Sequence, residues 1–132
     1  MGRSAARQGN GNAFHVVALL LCVTFFVDHA AAKTVKVGGN PGWILGAKFP
    51  KLAIMTKDQL LFQYPAEAHD VVEVTASNYK SCNAKGGRTR SSGYDQLSLS
   101  AGTHFFICGV ADHCKKGMKF GARRTVALLG GL

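Results

Sequence analysis

The segment Cys108-Gly109-Val110-Ala111-Asp112-His113-Cys114-Lys115-Lys116-Gly117-Met118 constrains this chain more than any other. It sets a thiol, an imidazole and a thioether five residues apart on one loop. The loop leaves the apolar stretch His104-Phe105-Phe106-Ile107-Cys108, which reads as a strand. A loop between two adjacent strands folds its ends back toward one point, so the three side chains can converge on a single atom.

The cysteine count points the same way once the leader is set aside. Arg3 and Arg7 precede an apolar run, Ala13 to Val27, and Ala30-Ala31-Ala32 closes it. A charged start, a short apolar core and a small-residue exit read as a cleaved secretory signal over residues 1–32. A spanning helix needs roughly 20 apolar residues, and this run is shorter and interrupted by His15. The domain is then 33–132, which is 132 − 32 = 100 residues. The tail from Val126 to Leu132 is too short for a lipid-anchor signal, and no N-glycosylation acceptor occurs. A secreted, extracellular monomer without a membrane anchor is expected.

Cys22 leaves with the leader, so Cys82, Cys108 and Cys114 remain. Three thiols in an oxidising compartment leave one free, intermolecular or metal-bound. A Cys108–Cys114 loop would be tight, whereas pairing Cys82 with Cys114 closes a longer loop and leaves Cys108 alone. A metal is the natural occupant of a lone thiol there, since a ligating sulfur is deprotonated and held.

The rest of the domain is β-rich. Thr34–Val37, Gln59–Tyr64, Val71–Thr75, Leu97–Ser100 and His104–Cys108 read as strands, with Thr125–Leu128 as the last. Gly38-Gly39-Asn40-Pro41-Gly42 is a strong turn, and a short helical turn is expected near Ser77–Ser81. Short strands with regular turns imply an all-β, Greek-key sandwich with one or two helical turns. Only 17% of residues are charged, which excludes a disordered chain. Net charge is +9, and +8 without Arg3, Arg7 and Asp28. That charge favours an acidic redox partner or an anionic polysaccharide. No nucleic-acid motif accompanies it.

Two His, one Cys and a weak axial Met suit both Cu(I), which prefers sulfur, and Cu(II), which prefers nitrogen. Such a set leaves no open position for substrate, which favours electron transfer over catalysis. Met is a poor zinc ligand, so a structural zinc site ranks below copper. No nucleophile elbow is present, and the chain is not expected to be an enzyme. His104 is a competing imidazole, since it precedes Cys108 by four and shares its face of the strand. Trp43, Phe62, Phe105 and Phe106 read as core aromatics.

The chain resembles the plant phytocyanins, a cupredoxin family, and within them the basic blue protein or plantacyanin group. The resemblance is carried by Val37-Gly38-Gly39 leading to Trp43, by Phe62-Gln63-Tyr64, and by His69 before a valine-rich strand. It continues through Tyr79-Lys80-Ser81-Cys82, Ser92-Gly93-Tyr94-Asp95-Gln96, Phe105-Phe106-Ile107-Cys108 and His113 to Lys119. It implies a cupredoxin-like sandwich and one copper ion held by His69, Cys108, His113 and Met118. It also implies a Cys82–Cys114 disulfide, a location in the apoplast or cell wall, and single-electron transfer. The alternative it allows is a cell-wall interaction or reproductive signalling protein in which redox activity is secondary. The chain departs from the pattern in four places, one of them between Trp43 and Tyr64, where it is slightly shortened and Thr56-Lys57-Asp58 replaces the usual Ala-Gly-Asp turn. Asp70 stands where Asn is usual, and Ala111-Asp112 where Pro-Gly is usual. Phe120-Gly121-Ala122-Arg123-Arg124 reads poorly as the closing strand. Asp112, beside His113, is expected to lower the redox potential.

Overall fold

The computed structural model describes residues 32–125. Residues 1–31 of the predicted leader and residues 126–128 of the predicted last strand lie outside them.

Among the described residues, eight strands form two sheets, with one helix beside them. The strands are β1 (Thr34–Lys36), β2 (Leu52–Ile54), β3 (Gln59–Gln63), β4 (Val71–Val74), β5 (Arg88–Arg90), β6 (Tyr94–Ser98), β7 (Gly102–Ile107) and β8 (Lys119–Arg124). The helix α1 spans Ala76–Ser81, between β4 and β5. One sheet has the order β1-β3-β6, the other β2-β8-β7-β4-β5. β1 runs parallel to β3 and β2 parallel to β8, and the other pairs are antiparallel. This is the expected β-sandwich with one short helix.

Side-chain parity explains the two layers. In β6, Asp95 and Leu97 turn inward while Tyr94, Gln96 and Ser98 face water. β4 places a buried valine on each face because both faces are covered. Val71 joins Trp43, Phe62, Phe106 and Phe120 in the core between the sheets. Val72 and Val74 pack outward with Ile107 and Cys114 in a second cluster, beneath Tyr79 of α1. The central aromatics interlock at ring separations of 5.1 Å, Trp43 on Phe62 and Phe62 on Phe106.

The helix has local causes. Thr75 is its N-cap, its hydroxyl accepting from the Asn78 amide at 3.2 Å. It ends at Cys82, which sits in the left-handed region at φ +55°. At the opposite turn Gly38 holds φ +85°, and a Cβ there would lie 2.0 Å from the Gly42 carbonyl oxygen. Only glycine fits.

The closing strand differs from expectation. β8 is Lys119–Arg124, the stretch that reads poorly as a strand, and Thr125 lies beyond its end. Phe120 and Ala122 alternate inward, and β8 is paired on both sides, by β7 and by β2. A full ladder with β7, a three-residue ladder with β2 and two inward side chains override the low β-propensity of Gly and Ala. Strands β2 and β5 are three residues each, too short for period-two patterning to show.

Candidate metal centre

Two loops at one end of the sandwich carry the site. His69 lies in the β3–β4 connection. Pro65 stops β3, and its carbonyl accepts from the amides of Ala68 and His69 at 3.0 and 3.2 Å, a tight turn that presents the imidazole. Cys108 follows β7 directly. His113 and Met118 lie in the β7–β8 loop, which backbone bonds close on itself. Cys108 donates to the Met118 carbonyl, Met118 to His113 and His113 to Val110, at 3.0 to 3.1 Å. The residues spaced by five are therefore hydrogen-bonded neighbours.

The donor atoms meet. Cys108 Sγ lies 3.5 Å from His113 Nδ1 and 3.8 Å from His69 Nδ1, and the two imidazole Nδ1 atoms are 3.1 Å apart. All three donors fall within 4.8 Å of one another. His69 is 7% exposed and Cys108 1%, while His113 is half-buried. Met118, 1% exposed, belongs to the same core cluster as Cys108. Burial, and then the neighbouring His113, lower the His69 pKa, which favours the neutral imidazole that a metal requires. Burial raises the Cys108 thiol, with the Asp70 and Val110 amides acting against it through hydrogen bonds. Two imidazoles, one soft sulfur and a buried thioether match a copper site in number and type.

His104 is not part of this cluster. It sits in the first half of β7, four residues or roughly 13 Å along the strand from Cys108. Its Nδ1 faces Glu73 Oε1 at 2.8 Å and its Nε2 the Ser100 carbonyl at 2.9 Å. Cys82 and Cys114 are joined as a disulfide, which ties the end of α1 to the ligand loop, and Cys108 is a free thiol.

Two residues beyond the donor set hold it in place. Asp70 Oδ1 accepts from the Gly109 amide at 2.6 Å, joining the His69 loop to the Cys108 loop. The contact needs only an acceptor, which Asp supplies as well as Asn. Gly109 permits it, since a Cβ there would lie 3.1 Å from Val72 and 3.3 Å from Asp70 Oδ1. Trp43, fully buried, donates from Nε1 to the Asp70 carbonyl at 2.8 Å. Reading Trp43 as a core aromatic misses this role. Its partner is 27 residues away, so no local pattern could have shown it.

The loop also differs from the family pattern in shape. Ala111 adopts φ +46°. A proline there would be held near −65°, so the Ala111-Asp112 turn is a different turn from a Pro-Gly one. Asp112 Oδ2 pairs with Lys116 at 3.2 Å, and both are exposed. Lys119 Nζ donates to the Tyr79 carbonyl at 3.1 Å and lies 4.6 Å over the Tyr79 ring. Of the basic run 115–119, these contacts engage Lys116 and Lys119.

Residues 43–118 match the family model described as a plastocyanin-like domain. The chain is 38% identical over 118 residues to chemocyanin from Lilium longiflorum, covering 85% of this chain and 94% of that one. It superposes on cucumber basic protein, a blue copper protein, with a TM-score of 0.61 and 33% identity, over 70% of this chain and 99% of that one. Spinach plantacyanin gives 0.60 and 33%, over 72% and 100%.

Proposed function

Because the chain belongs to the phytocyanin branch of the plastocyanin-like family, we propose that it is a type 1 copper protein that carries single electrons. One ion would be held by His69, Cys108, His113 and Met118. The observation that carries this reading is the meeting of three soft and borderline donors within 4.8 Å on a buried frame. Copper, when bound, supplies one-electron redox chemistry at a site that satisfies both of its oxidation states moderately well.

The chain's own residues do the rest. β7 and β8 hold Cys108 and Met118 as hydrogen-bonded neighbours, and Asp70 fixes the His69 loop to them. A frame tied this closely moves little when charge changes at its centre. Met118, Phe62 and Phe106 keep water from the inner side. His113 alone among the donors is partly open to solvent, and this edge is the exit for the electron. Lys115 beside it gives an acidic partner an electrostatic approach. The predicted leader and the disulfide fit release into an oxidising extracellular space.

An absorption and EPR spectrum of the copper-loaded 33–132 chain tests the reading. An intense blue thiolate-to-copper band is expected, and its loss in Cys108→Ser. A colourless, EPR-silent oxidised sample would overturn it.

A further inference from the structure

The five-stranded sheet is only partly covered on its outer face. Helix α1 lies over β4 and β7, where Tyr79 meets Phe105 at a ring separation of 5.1 Å. Beyond the helix, over β7, β8 and β2, a groove of about 500 Å³ remains. That volume is within the range of about 300–1,000 Å³ typical of small-molecule sites. Phe105 and Gly121, partners across the β7–β8 ladder, share its floor. Gly121 does not need to be glycine for its backbone. A Cβ there would touch only Phe105 Cδ1, at 3.9 Å. Its missing side chain leaves a slot beside the Phe105 ring.

The rim is cationic. Lys51 precedes β2, Lys80 stands on α1 and Arg123 on β8, and no acidic residue lines the groove. Among the described residues the ion pairs are His104–Glu73 and Lys116–Asp112, so these three cations have no acidic partner. The Tyr79 ring is not open to stacking by a sugar, since Phe105 packs against it and Lys119 lies over it. An apolar slot one side chain deep, beside an aromatic ring and ringed by cations, fits a planar apolar body with one negative end.

We propose that this groove binds a small aromatic carboxylate, its ring over Gly121 against Phe105 and its carboxylate among Lys51, Lys80 and Arg123. The groove shares no residue with the donor cluster, so the proposal stands apart from the copper reading.

NMR titration of the 15N-labelled, Cu(I)-loaded chain with benzoate tests it. Saturable shifts are expected at Tyr79, Lys80, Phe105 and Gly121. Benzamide, which lacks the charge, and acetate, which lacks the ring, should each bind at least ten-fold more weakly. Gly121→Leu fills the slot and should abolish benzoate binding. Lys80→Gln with Arg123→Gln leaves the floor intact and should weaken it at least five-fold, which keeps the test decisive if Gly121→Leu does not fold. Acetate binding as well as benzoate, unchanged affinity in the double variant, or shifts spread evenly over the surface lysines would overturn the proposal. So would polygalacturonate bound equally by wild type and Gly121→Leu where benzoate is not bound, which would assign the surface to a polyanion.

Discussion

Asp112 shows how a single contact changes the weight of a charge. Its place beside His113 makes it a candidate to lower the redox potential, since a carboxylate favours the more positive ion. The structure gives that carboxylate a partner, Lys116, and the Lys116 contact is the main reason its pKa falls below the usual range. An exposed, paired charge acts weakly at a distance. Asp112→Asn should therefore raise the potential, but only slightly, because the lost charge is exposed and paired. Cyclic voltammetry measures it, and a fall in potential would refute the direction. Asp70 is the contrasting case. It also replaces the family's usual residue, yet its oxygen takes a fixed bond from Gly109. Substitution to Asn keeps the acceptor.

At the scale of elements, the disulfide and Asp58 are two of the tethers that hold the sandwich together outside its ladders. The disulfide joins the end of α1 to the ligand loop across 32 residues of chain. Closing a loop of that length is worth roughly 3–4 kcal/mol through the entropy of the unfolded chain. Cys82→Ser with Cys114→Ser should lower unfolding free energy by about that much in urea titration.

The second tether is Asp58, in the turn before β3. Its Oδ2 accepts from the Met55 amide at 3.0 Å and its Oδ1 from the Lys33 nitrogen at 3.1 Å. The Met55 bond, then the Lys33 bond, lower its pKa from the usual 3.8. A folded-state pKa below the unfolded one contributes stability that is complete above 3.8 and fades as pH falls through the folded value. Cleavage after Ala32 would make the Lys33 nitrogen an ammonium group, and the bond a charged one. Asp58→Asn should thus lower the melting temperature of the 33–132 chain at pH 7. The gap between variant and wild type should close at the acid end of the folded range. A gap of constant size down to that end would show that the carboxylate charge is not what matters.

For the whole molecule, the metal centre and the fold are thermodynamically coupled. The donors come from both sides of the β4–β7 ladder and meet only in the folded chain, so copper binds the native state. At a free concentration a thousand times the dissociation constant, such binding stabilises by about 4 kcal/mol. Copper should raise the melting temperature in scanning calorimetry in proportion to the logarithm of its concentration. Met118→Ala should reduce that increment less than Cys108→Ser, since an axial thioether is the weaker ligand.

Much of this was legible in the residues themselves. The valine run marked β4 and Pro65 the end of β3, because each reflects a local constraint on the backbone, whereas the alternation read at Leu97–Ser100 caught only the last two residues of β6, which begins at Tyr94. The Cys108, His113 and Met118 spacing reported a loop chemistry that needs no knowledge of distant chain. His69 rested more on family resemblance than on spacing, its place between two strands being the one local sign that set it apart from His104. Tertiary structure separated the two: one imidazole turns toward Cys108 and the other toward Glu73. It also made a strand of Phe120–Arg124, since pairing on two edges outweighs a poor intrinsic preference. Trp43 and Asp70 are positioning residues only by virtue of contacts that span 27 and 39 positions. Side-chain type and spacing thus determined which chemistry the chain can host. Long-range packing alone decided which copies of those side chains meet, and what holds them there.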